Sequence, residues 1–149
     1  GNSSMNSFNH YSYGAVSEWM FRYMAGIEAD ENHPGFKHFI LQPKPDMRKI
    51  SDNKRISTVS AEFGSYYGNI KSKWERKADG NYRFTITVPA NTTARLYIPK
   101  YNRLTGIEQN GVAAENVAGV TLFTSEAEQF VLDLESGIYI FDTQNKAIK

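Results

Sequence analysis

Short runs of alternating apolar and polar residues dominate the chain beyond Pro45, with turn residues between them at fairly regular intervals. The clearest run extends from Tyr82 to Val88 and brings four apolar side chains to one face. Alternation with a period of two is typical of a β-strand with one buried face. Asp79-Gly80-Asn81 favours a tight turn just before this run, so residues 67–76 are expected to pair with it in an antiparallel hairpin.

Seven other segments have the same strand-like character. They are residues 36–41, 56–63, 94–98, 105–109, 120–123, 129–134 and 137–141. About nine short strands separated by turns predict a mainly β fold of two packed sheets, an antiparallel β-sandwich. Ile70, Ser72 and Trp74 share one face of their strand, which predicts that Trp74 is buried. The charge-rich segment from Lys44 to Arg55 is interpreted as a solvated loop.

The spacing of apolar residues is helical in the region before Pro45. Apolar side chains recur there one, three and four positions apart, at Ala15, Val16, Trp19, Met20, Tyr23, Met24 and Ile27. This spacing predicts one amphipathic α-helix before the sandwich, and Gly26 is expected to end it in the left-handed conformation. Aromatic side chains around most of the helix would leave one flank exposed if the helix packed on a single sheet. We therefore expect the helix to belong to a helical domain that lies outside this chain.

The composition excludes several classes of function. The 149 residues suffice for one domain, and a formal net charge of +1 gives no field that would hold nucleic acid. The chain has no cysteine, and its three histidines lack the spacing and the carboxylates of a metal site. No apolar stretch is long enough to span a membrane, and no signal-peptide pattern opens the chain. The sequence thus predicts no cofactor, metal, nucleic acid or membrane span, and it leaves the cellular location open.

No familiar catalytic motif is apparent in the sequence. The chain has no Gly-x-Ser-x-Gly elbow of a serine hydrolase, and residues 64–68 lack the Lys-Ser/Thr that follows a phosphate-binding loop. Glu18 stands four positions before Arg22, which favours a pair on the helix surface over an acid–base role. Glycoside hydrolysis requires two facing carboxyl groups, and no convincing pair is present. We assign no catalytic residue to this chain.

Two groups of residues could contact a sugar. Residues 9–14, Asn-His-Tyr-Ser-Tyr-Gly, combine neutral hydrogen-bonding groups with aromatic rings, the mixture that sugar hydroxyls and C–H faces require. The alternative for this group is that His10 orients the helix entry and the tyrosines belong to the core. Tyr66, Tyr67 and Trp74 could form the aromatic platform of a carbohydrate-binding module, although the position of Trp74 on its strand favours the core.

The order of residues gives a more specific indication than any single motif. The string from Asn9 to Arg22, followed by Ala25-Gly26-Ile27 and Pro34-Gly35-Phe36-Lys37, resembles the C-terminal end of the bacterial α-L-rhamnosidases of glycoside hydrolase family 78. Residues 61–74, 88–94 and 135–139 are similar to that family's C-terminal β-domain. The family block continues with Gly-Glu-Trp, whereas Ser17 replaces the glycine here.

The resemblance implies an inverting hydrolase that removes terminal rhamnose, with an (α/α)6 barrel followed by a β-sandwich. The helix would be the last helix of that truncated barrel within residues 1–30, residues 31–55 would connect, and 56–149 would form the sandwich. His10 would bind the substrate, whereas the catalytic glutamates would lie upstream of Gly1. The fragment alone would then be inactive, and the sandwich would support the missing catalytic barrel on which it packs.

Two other classes of function remain open at this point. The first is a free-standing carbohydrate-binding β-sandwich module, which would bind sugar without a catalytic domain. The second is an adhesion or scaffold sandwich that uses the helix as a docking element. The rhamnosidase interpretation differs from both because it expects a rhamnose-containing glycan or glycoside as the ligand of a larger bacterial enzyme.

Overall fold

The computed structural model describes residues 19–48, 51–101 and 104–145, and this part of the chain is mainly β. In chain order its strands are β1 (Ile27–Ala29), β2 (His38–Leu41), β3 (Thr58–Ser65), β4 (Gly68–Arg76), β5 (Tyr82–Val88), β6 (Thr93–Pro99), β7 (Leu104–Gln109), β8 (Val112–Ala113), β9 (Val120–Ser125), β10 (Gln129–Leu134) and β11 (Gly137–Asn145). A π-helical turn covers Met20–Met24, and two 3₁₀ turns cover Asp52–Lys54 and Ala114–Asn116.

The strands form two sheets, as the alternating runs predict. The first sheet has the order β1-β2-β6-β10-β9 and the second has the order β3-β4-β5-β11-β7-β8. β5 and β10 have the predicted ends, and β4 and β5 form the predicted antiparallel hairpin. β1 and β8 were not predicted, because two or three residues are too few to show a period.

One strand pair departs from the predicted antiparallel sandwich. β2 pairs with β6 in parallel, so that Phe39 lies opposite Ala94, whereas the other pairs among the described strands are antiparallel. Three strands of the second sheet lie between β2 and β6 in the chain, and a parallel pair requires such a long crossover. Local patterns could not reveal this pairing, because its partners are distant in sequence.

The core lies between the two sheets and is built from the inward faces of the strands. In β5 every second residue is buried, from Tyr82 to Val88, which confirms the predicted period. Phe84 and Trp74 of the second sheet and Leu96 and Leu132 of the first are fully buried. Burying an aliphatic or aromatic side chain of this size contributes about 1.5–3 kcal/mol, so these faces determine which side of each strand turns inward.

The interpretation of Lys44 to Arg55 as a solvated loop is wrong for Asp46, which is buried. Its carboxylate accepts hydrogen bonds from Nε and Nη2 of Arg48 at 2.7 and 2.6 Å and from the backbone N–H of Ile56 at 2.9 Å. The Tyr82 hydroxyl donates a hydrogen bond to the backbone carbonyl oxygen of Asp46 at 3.0 Å. The hydrogen bond from Arg48 is the main cause that holds the pKa of Asp46 well below its usual range. A charged residue can be buried when its partners satisfy it, and composition alone does not show those partners.

We expect Asp46→Asn to lower the free energy of unfolding at neutral pH by about 2 kcal/mol, since it replaces a charged acceptor of several hydrogen bonds. The pKa of Asp46 is lower in the folded than in the unfolded chain. The contribution of the Asp46 carboxylate to the free energy of unfolding is therefore complete above its unfolded-state pKa, and it is lost as the pH falls through its folded-state pKa.

Urea denaturation at several pH values measures this contribution. The stability difference between wild type and Asp46→Asn should shrink as the pH falls from about 5 towards 2. Asp52→Asn is the control, because that side chain is largely exposed and its loss should cost less than about 1 kcal/mol. A difference that stays constant over this pH range would contradict the role given to the Asp46 carboxylate.

Candidate functional site

His10, the residue predicted to bind substrate, and the rest of residues 9–14 lie outside the described residues, as does Glu18. The role of His10 therefore stays a prediction. Of the predicted helix, the structure describes residues from 19 on, and the helical conformation there is only the short π-helical turn Met20–Met24. The predicted amphipathic α-helix is therefore not confirmed. Ile27 belongs to the apolar spacing of the predicted helix, but it begins β1 instead.

The end of the helical turn is attached to the sandwich by buried hydrogen bonds. The indole Nε1–H of Trp74 donates to the carbonyl oxygen of Met24 at 3.0 Å. The hydroxyl of Ser72 donates to the carbonyl oxygen of Ala25 at 2.6 Å. Carbonyls at a helix C-terminus have no partner within the helix, so these two inward side chains of β4 donate to them, and the backbone N–H of Lys44 also donates to the Met24 carbonyl at 3.0 Å.

Gly26 follows the turn and allows the chain to enter the sandwich. Its φ is +69°, which confirms the left-handed conformation predicted for the residue after the helix. Its carbonyl accepts the backbone N–H of Gln42 at 2.8 Å, and a Cβ at this position would overlap the Gln42 carbonyl. Pro43 N would lie 2.7 Å from the same Cβ. The contact is between two backbones, so no side chain can move to make room.

An exposed aromatic pair lies on the helical turn. Trp19 and Tyr23 are each 52% exposed, and their rings stack with centroids 5.6 Å apart, one turn from each other. The ammonium group of Lys44 lies 4.1 Å from the centroid of the Tyr23 ring. This pair is called the aromatic face here. The sandwich leaves both rings of the aromatic face half exposed.

A groove of about 390 Å³ lies beside the turn and is lined by three phenylalanines. The centroid of the Phe63 ring lies 5.9 Å from that of the Phe21 ring and 4.6 Å from that of the Phe36 ring. Phe36 has a φ of +61°, which a strand residue cannot adopt, so β2 begins at His38 and not at the predicted residue 36. The strained backbone brings a large apolar ring to the groove.

The aromatic platform considered as an alternative for Tyr66, Tyr67 and Trp74 is not assembled in this structure. Trp74 is fully buried in the core, whereas Tyr66 is 96% exposed at the turn between β3 and β4. The rings of Tyr66 and Tyr67 meet edge to face, with centroids 5.5 Å apart. Trp74 therefore cannot stack on a sugar, and this removes the widest ring from the proposed binding surface.

His33 and His38, the close pair in the sequence, also lie close together in space, with ring centroids 5.4 Å apart. His33 Nδ1 is 2.8 Å from a carboxylate oxygen of Asp30, and His38 Nδ1 is 2.7 Å from the Thr93 hydroxyl. Hydrogen bonds from the Asn32 backbone and from His33 lower the pKa of Asp30. Nowhere in the described ranges do three His, Asp, Glu or Cys side chains form a group that could hold a metal ion. The described ranges also contain no helix that is long and apolar enough to cross a membrane.

Sequence reasoning did not identify the hydrogen-bonding roles of two buried polar residues, Ser72 at the end of the helical turn and Asp46 beside β5. Ser72 was expected to face inward with Trp74, but a buried serine gives no sign of the carbonyl that it binds. Asp46 stands among basic residues and resembles any other charge of a loop. The position of Ser72 on an otherwise apolar strand face is a sign of a buried hydrogen bond, since buried hydroxyls are normally hydrogen-bonded.

The family model of the bacterial α-L-rhamnosidase C-terminal domain matches residues 26–113, which are more than half of the chain. The chain belongs to this family. The matched range begins at Gly26, where the helical turn has ended, and it includes both Ser72 and Trp74. The resemblance inferred from the ordered strings is therefore confirmed.

Relatives of this rhamnosidase C-terminal domain are much longer proteins. An α-L-rhamnosidase of Streptomyces avermitilis is 36% identical over 95 residues, 64% of this chain and 8% of that protein. An α-L-rhamnosidase of Formosa agariphila is 29% identical over 140 residues, 94% of this chain and 14% of that protein. The crystal structure of the S. avermitilis α-L-rhamnosidase complexed with L-rhamnose gives a TM-score of 0.66 at 27% identity, covering 92% of this chain and 12% of that one. The chain thus spans a small part of the relatives it matches.

We expect Gly26→Ala to lower the free energy of unfolding by about 3 kcal/mol or more, because its Cβ would overlap backbone atoms in a left-handed conformation. Gly35→Ala is a matched control, since Gly35 also has a positive φ but a Cβ there would meet no atom within 4 Å. The control should lose only about 1 kcal/mol. Urea denaturation of both variants measures the difference, and equal losses would show that the close approach at Gln42 contributes nothing.

Proposed function

We propose that the chain is the C-terminal portion of an inverting α-L-rhamnosidase that removes terminal rhamnose from glycosides. The family and the names of the relatives support this substrate class. The relatives extend far beyond the part that the chain matches, so the proposal places the catalytic glutamates in a preceding (α/α)6 barrel. The whole protein with that barrel is called the parent enzyme here.

The exposed aromatic face is the observation that supports packing against the barrel. Trp19 and Tyr23 present stacked rings to solvent beside the phenylalanine groove. Contiguous apolar surface of this kind usually marks an interface. The polypeptide of the parent enzyme would continue from the same turn, so the barrel is the neighbour that is covalently held close to this surface.

The sandwich in this proposal is a structural support and not a catalytic unit. It holds the helical turn at the carbonyls of Met24 and Ala25 through two buried donors of β4. A rigid attachment at the end of the turn would limit the movement of the segment before it. That segment carries His10, whose imidazole would donate or accept a hydrogen bond with a rhamnose hydroxyl.

Kinetics of the parent enzyme test the role of His10. His10→Ala should lower kcat/KM for 4-nitrophenyl α-L-rhamnoside by about 100-fold, or about 2–3 kcal/mol, for a lost contact with a polar group in a closed site. His33→Ala is the matched control, because that imidazole lies in the exposed loop beside Asp30. Unchanged kinetics of His10→Ala would refute the role of His10 in substrate binding. Hydrolysis by the 149-residue chain alone would refute the proposal that catalysis requires the preceding barrel.

Sedimentation of the 149-residue chain tests the aromatic face. The chain should self-associate with rising concentration, because the face is not covered by the barrel, and Trp19→Ser with Tyr23→Ser should reduce the association. Tyr66→Ser is the control, since Tyr66 is more exposed than either residue but lies at a separate hairpin turn. A monomer at every concentration, or an equal effect of the control, would contradict an interface at the turn.

A further inference from the structure

A second concave surface lies at the end of the sandwich where the turn between β4 and β5 meets residues 43–56. It is a cleft of about 400 Å³ whose lining includes Arg48, Arg55 and Arg76. Tyr82 and Tyr101 form another part of the wall, with ring centroids 5.0 Å apart. This volume falls within the range of about 300–1,000 Å³ that is common for ligand sites.

Positive charge is concentrated around this cleft. Arg48 and Arg55 line it, and the carboxylates of Asp46 and Asp52 contact these two arginines, so these four charges balance. Arg76 approaches the same cleft from β4 and adds a further positive charge. A local excess of cations within a concave surface raises the local concentration of anions.

Two carboxylates already contact the arginines, but they differ in how firmly they are held. Asp46 is buried and accepts two hydrogen bonds from Arg48. Asp52 is 73% exposed at its side chain and lies 3.1 Å from Nη1 of Arg76. Exposed ion pairs of this kind contribute little, about 0–1 kcal/mol, so an external oxyanion can displace Asp52 from Arg76 at small cost.

The guanidinium groups offer more donors than these carboxylates use. Each guanidinium has five N–H donors, and planar oxyanions bind to them in a forked geometry. Within the described residues, the Asp46 carboxylate uses two donors of the Arg48 side chain and Asp52 contacts one nitrogen of Arg76. Donors on both residues therefore remain for a ligand that enters the cleft.

We propose that this cleft binds an acidic sugar unit of a glycan, with the carboxylate or sulfate group of the sugar held between Arg48 and Arg76. The oxyanion chemistry follows from the arginines, whereas the choice of a glycan rests on the proposed function. None of the residues that line the cleft belongs to the helical turn, which is the part proposed to contact the catalytic barrel. It would hold a neighbouring acidic unit of a polymeric substrate.

Titration of the 149-residue chain tests the proposal, with binding followed by amide chemical shifts at constant ionic strength set with sodium chloride. The probes are glucuronate, glucose 6-sulfate and glucose, which share a ring and differ in the charged group. Glucuronate, glucose 6-sulfate or both should bind with millimolar affinity at residues around the cleft, and glucose should not. Preference between the two anions identifies the carboxylate or the sulfate as the natural group.

Arg76→Gln is the test variant because its carboxylate partner is exposed, whereas Arg48 neutralises the buried Asp46. It should weaken binding of the anionic probe at least about tenfold, and Arg76→Lys should weaken it less, since it keeps the charge and loses the fork. Arg95→Gln is the matched control, because Arg95 pairs with Asp133 on the other sheet. Thermal unfolding checks that all three variants are folded.

Three results would overturn the assignment. The first is no binding of either anion, and the second is equal binding by wild type and Arg76→Gln. The third is binding by the 149-residue chain but not by the parent enzyme, which would show that an acidic segment of the parent fills the cleft. Failure of the proposed function appears separately, as absent rhamnoside hydrolysis by the parent enzyme, because the titration does not depend on that reaction.

Discussion

Two hydrogen bonds from β4 connect the helical turn to the β-sandwich, and the arrangement of the N-terminal part of the structure depends on them. Trp74 and Ser72 donate to the carbonyls of Met24 and Ala25, which a helix C-terminus leaves without partners. Because both donors are buried, water cannot replace them. The direction of the turn, the position of the aromatic face and the start of β1 therefore follow from the same contact between a helix end and a sheet face.

Much of the sandwich could be predicted from local sequence, because each strand displays its own period. The alternation of apolar and polar residues predicted where β5 and β10 begin and end. The face that Trp74 shares with Ile70 predicted that its indole is buried. Gly26 was identifiable as the residue after the helix, since a left-handed backbone favours glycine. The ordered strings of residues gave the family, which the match over residues 26–113 bears out.

Other features could not be predicted, because they depend on partners that are distant in the chain. The parallel pairing of β2 and β6 gives no local sign, and the burial of Asp46 requires Arg48 and the backbone of Ile56 together. The arginine cleft combines a loop, the end of β4 and tyrosines from later segments. The role of His10 stays a prediction from the family resemblance, since that residue lies outside the described ranges.

The parallel pair also affects the order in which the protein can be assembled on the ribosome. His38 of β2 lies opposite Thr93 of β6, so the β1–β2 pair has no further neighbour in its sheet until 55 more residues have been synthesised. The hairpins of the second sheet need only nearby residues and can form earlier. A nascent chain would thus expose the apolar residues of β2 for seconds, a period in which a chaperone would shield them from aggregation.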